Sequence, residues 1–436
     1  MMSIYDVIAK IAIFLHETND EYNIVSDYNC CDNYCELHFD LDMNVGFSHL
    51  GSYGDFNWLD VEVNNLMKIK NYQGLIKTMQ DLDNKVDYYD YDYYDDENDV
   101  FEPLNSEFLD RVLVFPRMFR TTKWTHSNDD LSETINKVLN YVFIVFVSDL
   151  GEYKLINHYV KLEYCPGEFI VVGSPVCNNT NLAVHNVIND DNVKKMKFQI
   201  SYDDESKFID KVAEIISKAD KMKASLVAFP ELISNYELNN AIIEKIKNID
   251  FNSLKFIALP TYYDEVRYKN VGDVYYTEEK RILFSQNKTF PYIKYSKNAE
   301  EKDVKEMLCN NNEIHILHIK GVGRIVFPIC KDVLVDKYMA ICKATKANLI
   351  VTRSFSPGKY NYKYFLRIIK GYTSFECCGF WINSCSYQLD YNSNNKNKVI
   401  CITAHSKCDQ NENNELNYIY HCNEQCDDCM IKFTVN

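Results

Sequence analysis

Two short apolar runs, Leu226-Val227-Ala228-Phe229 and Ile325-Val326-Phe327, each reach a proline and then, within two residues, a reactive side chain: Glu231 and Cys330. Runs this short and this continuously apolar read as strands buried on both faces. Similar runs recur at 182–187, 254–259, 348–352 and 380–382. Between them, residues 208–222 carry Phe208, Ile209, Val212, Ile215 and Ile216 at helical spacing, and 336–347 reads as a second helix. Strands alternating with helices predict an α/β domain over residues 181–436.

Residues 1–175 have a different texture and are expected to form a separate α+β domain. A helix is predicted over 4–16, and the alternation Cys35-Glu36-Leu37-His38-Phe39-Asp40-Leu41 suggests a half-buried strand. Strands are predicted over 111–115, 142–147 and 169–172, and a helix over 131–139. The stretch 173–181, with Pro175 and several asparagines, is turn chemistry and marks the expected boundary. Residues 81–102 are acidic and rich in tyrosine and read as a loop, because like charges repel and no apolar face is offered. Within it, Tyr93-Tyr94-Asp95-Asp96 has the form of a metal-holding carboxylate pair, but its acidic flanks favour a solvated loop.

The formal charge of −16 and the pI near 5.1 argue against a partner coated in phosphate, which would need a basic face. No nucleic-acid partner is expected. Lys10 and Asp6 interrupt the apolar N-terminus, so it does not read as a secretory signal. The longest apolar run, 141–147, is too short to span a bilayer. The sixteen cysteines are therefore expected as reduced thiols in a cytoplasmic protein. Cys422, Cys426 and Cys429, with His421 or Cys408, have spacing that permits zinc, as do Cys30, Cys31 and Cys35 less well. Neither group has the two Cys-x2-Cys pairs of a strong zinc signature. No glycine-rich phosphate loop is present, and neither cofactor nor metal is expected.

Taken singly, the chemical candidates are bland. Glu231 after Pro230 could cap a helix, and Cys330 could be a small core residue. Lys288, in Asn287-Lys288-Thr289-Phe290-Pro291, gains interest from its apolar neighbours. In order and spacing, however, Phe229-Pro230-Glu231, Lys288 and Phe327-Pro328-Ile329-Cys330-Lys331-Asp332 resemble the nitrilase, or carbon–nitrogen hydrolase, superfamily. Lys346-Ala347-Asn348-Leu349-Ile350-Val351, followed by Arg353-Ser354-Phe355, and Ser374-Phe375-Glu376-Cys377 resemble further segments of that family. The likeness spans 181 to about 390 and extends more loosely to the C-terminus.

The resemblance implies a four-layer α-β-β-α sandwich with Cys330 as nucleophile, Glu231 as base and Lys288 as charge stabiliser. It implies an amidase-like hydrolase acting on a small amide or nitrile through a thioester, in a homo-oligomer. A second glutamate orients the lysine in that family, and Glu300 and Glu301 are the candidates. The sequence departs from the pattern at Leu334, where the family has arginine, and at Cys377, where it has asparagine. The alternative is a catalytically inactive nitrilase-like module that serves recognition or assembly for the N-terminal domain.

Overall fold

The computed structural model describes residues 4–18, 57–89, 100–101, 111–116, 139, 142–165, 167–176, 181–189, 194–295, 303–356, 361–371, 377–384, 398–406, 418–422 and 429–435. The chain is a mixed α/β protein that divides into two compact units. One comprises Met1–Gly151 with Tyr159–Lys161, the other Glu152–His158 with Leu162–Asn436.

In the first unit, helix Ile4–Thr18 presents Val7, Ile8, Ile11 and Leu15 to a core shared with Leu59, Val63, Leu75, Met79, Val112 and Ile144. The spacing of those residues is that of one helical face. Helices Asn57–Lys68 and Tyr72–Tyr89 and the antiparallel pair Val112–Pro116 and Val142–Phe146 complete it. The helix expected at 4–16 and the strands at 111–115 and 142–147 are thus present. The acidic segment differs from its expectation, since the helix runs on to Tyr89 and residues 81–89 are not loop. The stripe Leu75, Ile76, Met79 and Leu82, each 1% exposed or less, carries the helix into the acidic stretch because its apolar face outweighs the charge repulsion. Residues 90–99, with Tyr93-Tyr94-Asp95-Asp96, lie outside the described residues, as do residues 35–41 and, apart from Leu139, the helix expected at 131–139.

The second unit takes in residues placed before the expected boundary. Strand Ile170–Gly173 is held between Leu226–Ala228, to which it runs parallel, and the C-terminal strand Ile431–Thr434. Residues 174–176, after Gly173, fall within this unit. The sheet continues through Phe256–Ala258, Lys269–Tyr276 and Tyr262–Asp264, with Arg281–Asn287 also on Lys269–Tyr276. Within this unit a second sheet runs Glu313–Lys320, Gly323–Val326, Leu349–Ser354, Cys378–Asn383, Lys398–His405 and Tyr418–Cys422. A third comprises Ile293–Lys294, Val304–Glu306, Lys194–Ser201 and Asn181–Asn189.

Alternation along each strand assigns its faces. Val172, Val227 and Ile257 pack against Phe208, Val212, Ile216, Leu238 and Ile242 of helices Glu205–Lys221 and Tyr236–Ile246. Gly173, one residue on, turns the other way, where a Cβ would come within 2.6 Å of Phe380 in the second sheet. Phe380 also lies against Phe433, with ring centroids 6.1 Å apart. On the opposite face of Cys378–Asn383, Gly379 abuts Phe365 and Ile369 of helix Asn361–Lys370.

Arg353 ties the two large sheets together. It is fully buried, and its guanidinium donates to the carbonyls of Leu259 at 3.3 Å, Gly272 at 3.2 Å and Asp273 at 3.5 Å. Gly272 leaves the space that this guanidinium fills, for a Cβ there would overlap it. Gly272→Ala is therefore expected to destabilise the second unit by roughly 1–3 kcal/mol through overpacking. The measurement is the denaturant midpoint, which should fall with little change in slope.

Candidate functional site

Glu231 leaves the strand Leu226–Ala228 and is 1% exposed. It does not cap the next helix. That helix begins at Tyr236, and Asn235 caps it by accepting the Leu238 N–H at 2.8 Å. The Glu231 carboxylate is instead bound from three sides. Oε1 accepts from Lys288 Nζ and from Asn270 Nδ2, both at 2.8 Å, and Oε2 accepts the Phe355 N–H at 2.9 Å.

Lys288, 2% exposed, donates at once to Glu231 and, at 2.7 Å, to Glu306 Oε2. Glu306 is the second carboxylate. It lies on strand Val304–Glu306, parallel to Lys194–Ser201, and also accepts the Tyr292 N–H at 2.8 Å. Glu300 and Glu301 lie outside the described residues, and the lysine contact belongs to Glu306. Spacing alone missed it, because the loop that separates it from Lys288 has no regular period. Asn270, also missed, bridges the two glutamates: Nδ2 lies 3.4 Å from Glu306 Oε1. Its own oxygen accepts from Thr261 Oγ1 at 3.0 Å, and Thr261 in turn accepts the Leu232 N–H at 2.9 Å.

Cys330 opens the 3-10 turn Cys330–Leu334 with φ of 49°, in the left-handed region that a β-carbon disfavours. Such backbone costs on the order of 1–3 kcal/mol and persists where neighbours over-determine it. Asp332 supplies that constraint. Its carboxylate accepts the N–H groups of Ile329 at 3.1 Å, Thr289 at 3.0 Å and Phe290 at 2.8 Å, tying the cysteine turn to the lysine loop. The thiol accepts from Ser354 Oγ at 3.5 Å and lies close enough to the Glu231 carboxylate and the Lys288 ammonium to feel both charges. Cys330 is 7% exposed, against 1% and 2% for Glu231 and Lys288, so it is the least covered residue of the three.

Glu231, Lys288 and Cys330, predicted from separate strand ends and a loop, are thus brought together. Burial raises the proton affinity of Glu231, with Lys288 opposing and Glu306 adding to the rise. Burial alone would lower that of Lys288, but Glu231 and Glu306 outweigh it, and its pKa stands well above the usual lysine value. The Cys330 thiol is pushed up to about 12, by burial first and by Glu231 second, with Lys288 pulling the other way. At rest the group holds a neutral thiol beside a fixed cation and a carboxylate that binds protons more readily than a free glutamate.

Elsewhere, Cys429 is disulfide-bonded, which corrects the expectation of a reduced thiol there and removes it as a ligand. Cys422 ends strand Tyr418–Cys422, while Cys426, Cys408, Cys30, Cys31 and Cys35 lie outside the described residues. Among the described residues, no group of three or more His, Cys, Asp or Glu is placed to hold a metal, and no helix is long and apolar enough to cross a membrane.

No protein-family model and no curated protein matches the chain. The solved structures to which it is similar include the following three. Saccharomyces cerevisiae Nit3, a member of branch 10 of the nitrilase superfamily, shares 12% identity over 62% of this chain and 90% of that one, with a TM-score of 0.39. The C. elegans NitFhit protein shares 13% over 62% of each chain, TM-score 0.40. The glutamine-dependent NAD+ synthetase of Acinetobacter baumannii shares 12% over 61% of this chain and 45% of that one, TM-score 0.40. The chain thus spans less than two thirds of the length of the last two.

The buried cluster makes a stability prediction. Lys288→Met leaves two buried carboxylates without their cation and should cost roughly 3–5 kcal/mol. Adding Glu306→Gln should recover part of that loss. Urea denaturation of the single and double variants checks both signs.

Proposed function

We propose that the second unit is a nitrilase-like, thiol-dependent carbon–nitrogen hydrolase that cleaves a small amide or nitrile, built as an α-β-β-α sandwich. The observation that carries this reading is that Lys288 hydrogen-bonds Glu231 directly and that the charges of both act on the Cys330 thiol, the three residues lying at the ends of different strands. Carboxylate, cation and thiol are the three types that acyl transfer through a thioester requires.

In this reading Glu231 takes the thiol proton as sulfur attacks the carbonyl or nitrile carbon. The raised pKa of Cys330 makes that transfer part of the attack, since little thiolate exists beforehand. Lys288 and a backbone N–H after Cys330 stabilise the developing negative charge. For an amide, Glu231 returns the proton to the nitrogen as the C–N bond breaks, leaving a thioester on Cys330. Water, deprotonated by Glu231, then releases the acid and the free thiol. Glu306 and Asn270 touch no reacting atom in this scheme and act by holding Lys288 and Glu231 in place.

The test is hydrolysis of a panel of short amides and nitriles by the full chain. Cys330→Ala should abolish turnover, and Glu231→Gln should lower kcat by about 10²–10⁴. Trapping of an acyl group on Cys330, seen as a mass increase on that peptide, is the direct signature. Turnover that persists in Cys330→Ala would sink the proposal.

A second expectation concerns pH. Glu231 must be ionised to act as base, and burial raises its pKa from the 4.5 of a free glutamate. The rate of acylation should therefore fall on the acid side with a midpoint above 4.5, and this limb should vanish in the residual activity of Glu231→Gln. A pH profile of kcat/KM reads it out.

A further inference from the structure

Three consecutive residues at the end of strand Leu349–Ser354 and just beyond it touch both halves of the site. Arg353 pairs in a parallel bridge with Ile329, and its N–H donates to the Pro328 carbonyl at 3.3 Å, beside the nucleophile. Phe355 donates its N–H to Glu231 Oε2 at 2.9 Å, and the Ser354 carbonyl accepts the Glu231 N–H at 3.4 Å. Between them, the Ser354 side chain is 3.5 Å from Cys330 Sγ and is oriented to donate to it. Ser354 is 1% exposed, so water cannot readily replace its hydroxyl.

The position of that hydroxyl has a chemical consequence. The sulfur has two polar side-chain neighbours of opposite effect. The Glu231 charge holds the proton on the thiol, while the Ser354 hydroxyl donates to the sulfur and so favours the form that bears negative charge. As the proton moves to Glu231, the Ser354 bond strengthens, because a donor to an ion is bound roughly twice as strongly as to a neutral atom. The main-chain contacts of Arg353 and Phe355, and the guanidinium clamp onto Leu259, Gly272 and Asp273, hold the hydroxyl there without reorganisation.

Resting on the hydrolase reading of this site, we infer that Ser354 is a fourth catalytic residue, whose hydroxyl stabilises the Cys330 thiolate during attack and again when the thioester is hydrolysed. In the first step the S–H bond breaks, its proton goes to Glu231 and the sulfur electron pair forms the C–S bond. In the last step the C–S bond breaks and sulfur recovers the pair, before Glu231 returns a proton to it. Ser354 keeps its own proton throughout.

The experiment is the rate of Cys330 alkylation by iodoacetamide in the full-length protein, followed by mass spectrometry of the Cys330 peptide. Exposed, free Cys309 serves as internal reference. Ser354→Ala should slow Cys330 labelling about tenfold relative to Cys309, the order of effect of one hydrogen bond to a charged group. Ser354→Thr, which keeps a hydroxyl, should restore most of the rate. Loosening of the fold would instead expose the thiol and speed its labelling. Equal or faster labelling in Ser354→Ala, or a Ser354→Thr protein as slow as the alanine variant, overturns the inference. No amide substrate enters the assay, so the two readings fail separately. Slowed labelling in a protein that turns over no amide leaves the thiolate contact standing without the hydrolase. Amide turnover with unchanged labelling leaves the hydrolase standing without Ser354.

Discussion

Lys288 between Glu231 and Glu306 is the interaction on which the second unit turns. Three ionisable groups, each 2% exposed or less, meet at the Lys288 ammonium, which is 2.8 Å from Glu231 and 2.7 Å from Glu306. Taking such charges out of water costs several kcal/mol apiece, and only close geometry and full hydrogen bonding return it. The surrounding chain supplies that bonding: Asn270 spans both carboxylates, the Phe355 and Tyr292 N–H groups fill remaining lone pairs, and Thr261 fixes which way the Asn270 amide points. A cluster so completely satisfied has a single arrangement, and that fixes where the Glu231 carboxylate sits before any substrate arrives.

Much of this was legible in the sequence where local pattern and chemistry coincide. The apolar runs before Glu231 and Cys330 are strands because a continuous apolar run must be covered on both faces, and the covering helix 205–221 announced itself through its apolar stripe. Glu306, Asn270 and Ser354 were not legible. Each reaches the site from its own strand or strand end, and no periodicity in the chain records which strands lie side by side. The helical character of 81–89 was hidden for the opposite reason: charge density dominates composition there, while Leu82, buried with Met79, settles the local conformation. The expected boundary rested on Gly173 and Pro175, which carry turn chemistry whether a turn joins two domains or two strands of one sheet.

The unusual burial of Arg353 belongs to the same logic. An isolated guanidinium in the interior would be prohibitive, and burial does lower its pKa to about 10, with Asp273 opposing. Three main-chain carbonyls and the absent side chain at Gly272 make the burial tolerable. The cation therefore acts as a brace: it anchors to one sheet the end of a strand from the other, one residue before the hydroxyl that reaches Cys330.

That brace bears on how the site can work. A thiol raised to about 12 is a poor nucleophile on its own, and a helix terminus or an adjacent cation lowers such a value in many thiol enzymes. Here the cation is already committed to two carboxylates, so it cannot be spent on ionising the sulfur at rest. The arrangement instead sets an acceptor of raised proton affinity near the sulfur and a hydroxyl donor on it. The raised thiol value keeps Cys330 neutral at rest, and the raised value of Glu231 makes it a readier proton acceptor than a free glutamate would be. In the proposed hydrolase, reactivity is then confined to the moment when a carbon electrophile draws electron density from sulfur. A buried cysteine among sixteen gains from this a selectivity that a permanently ionised thiolate would lack, since stray oxidants and metals act on the thiolate.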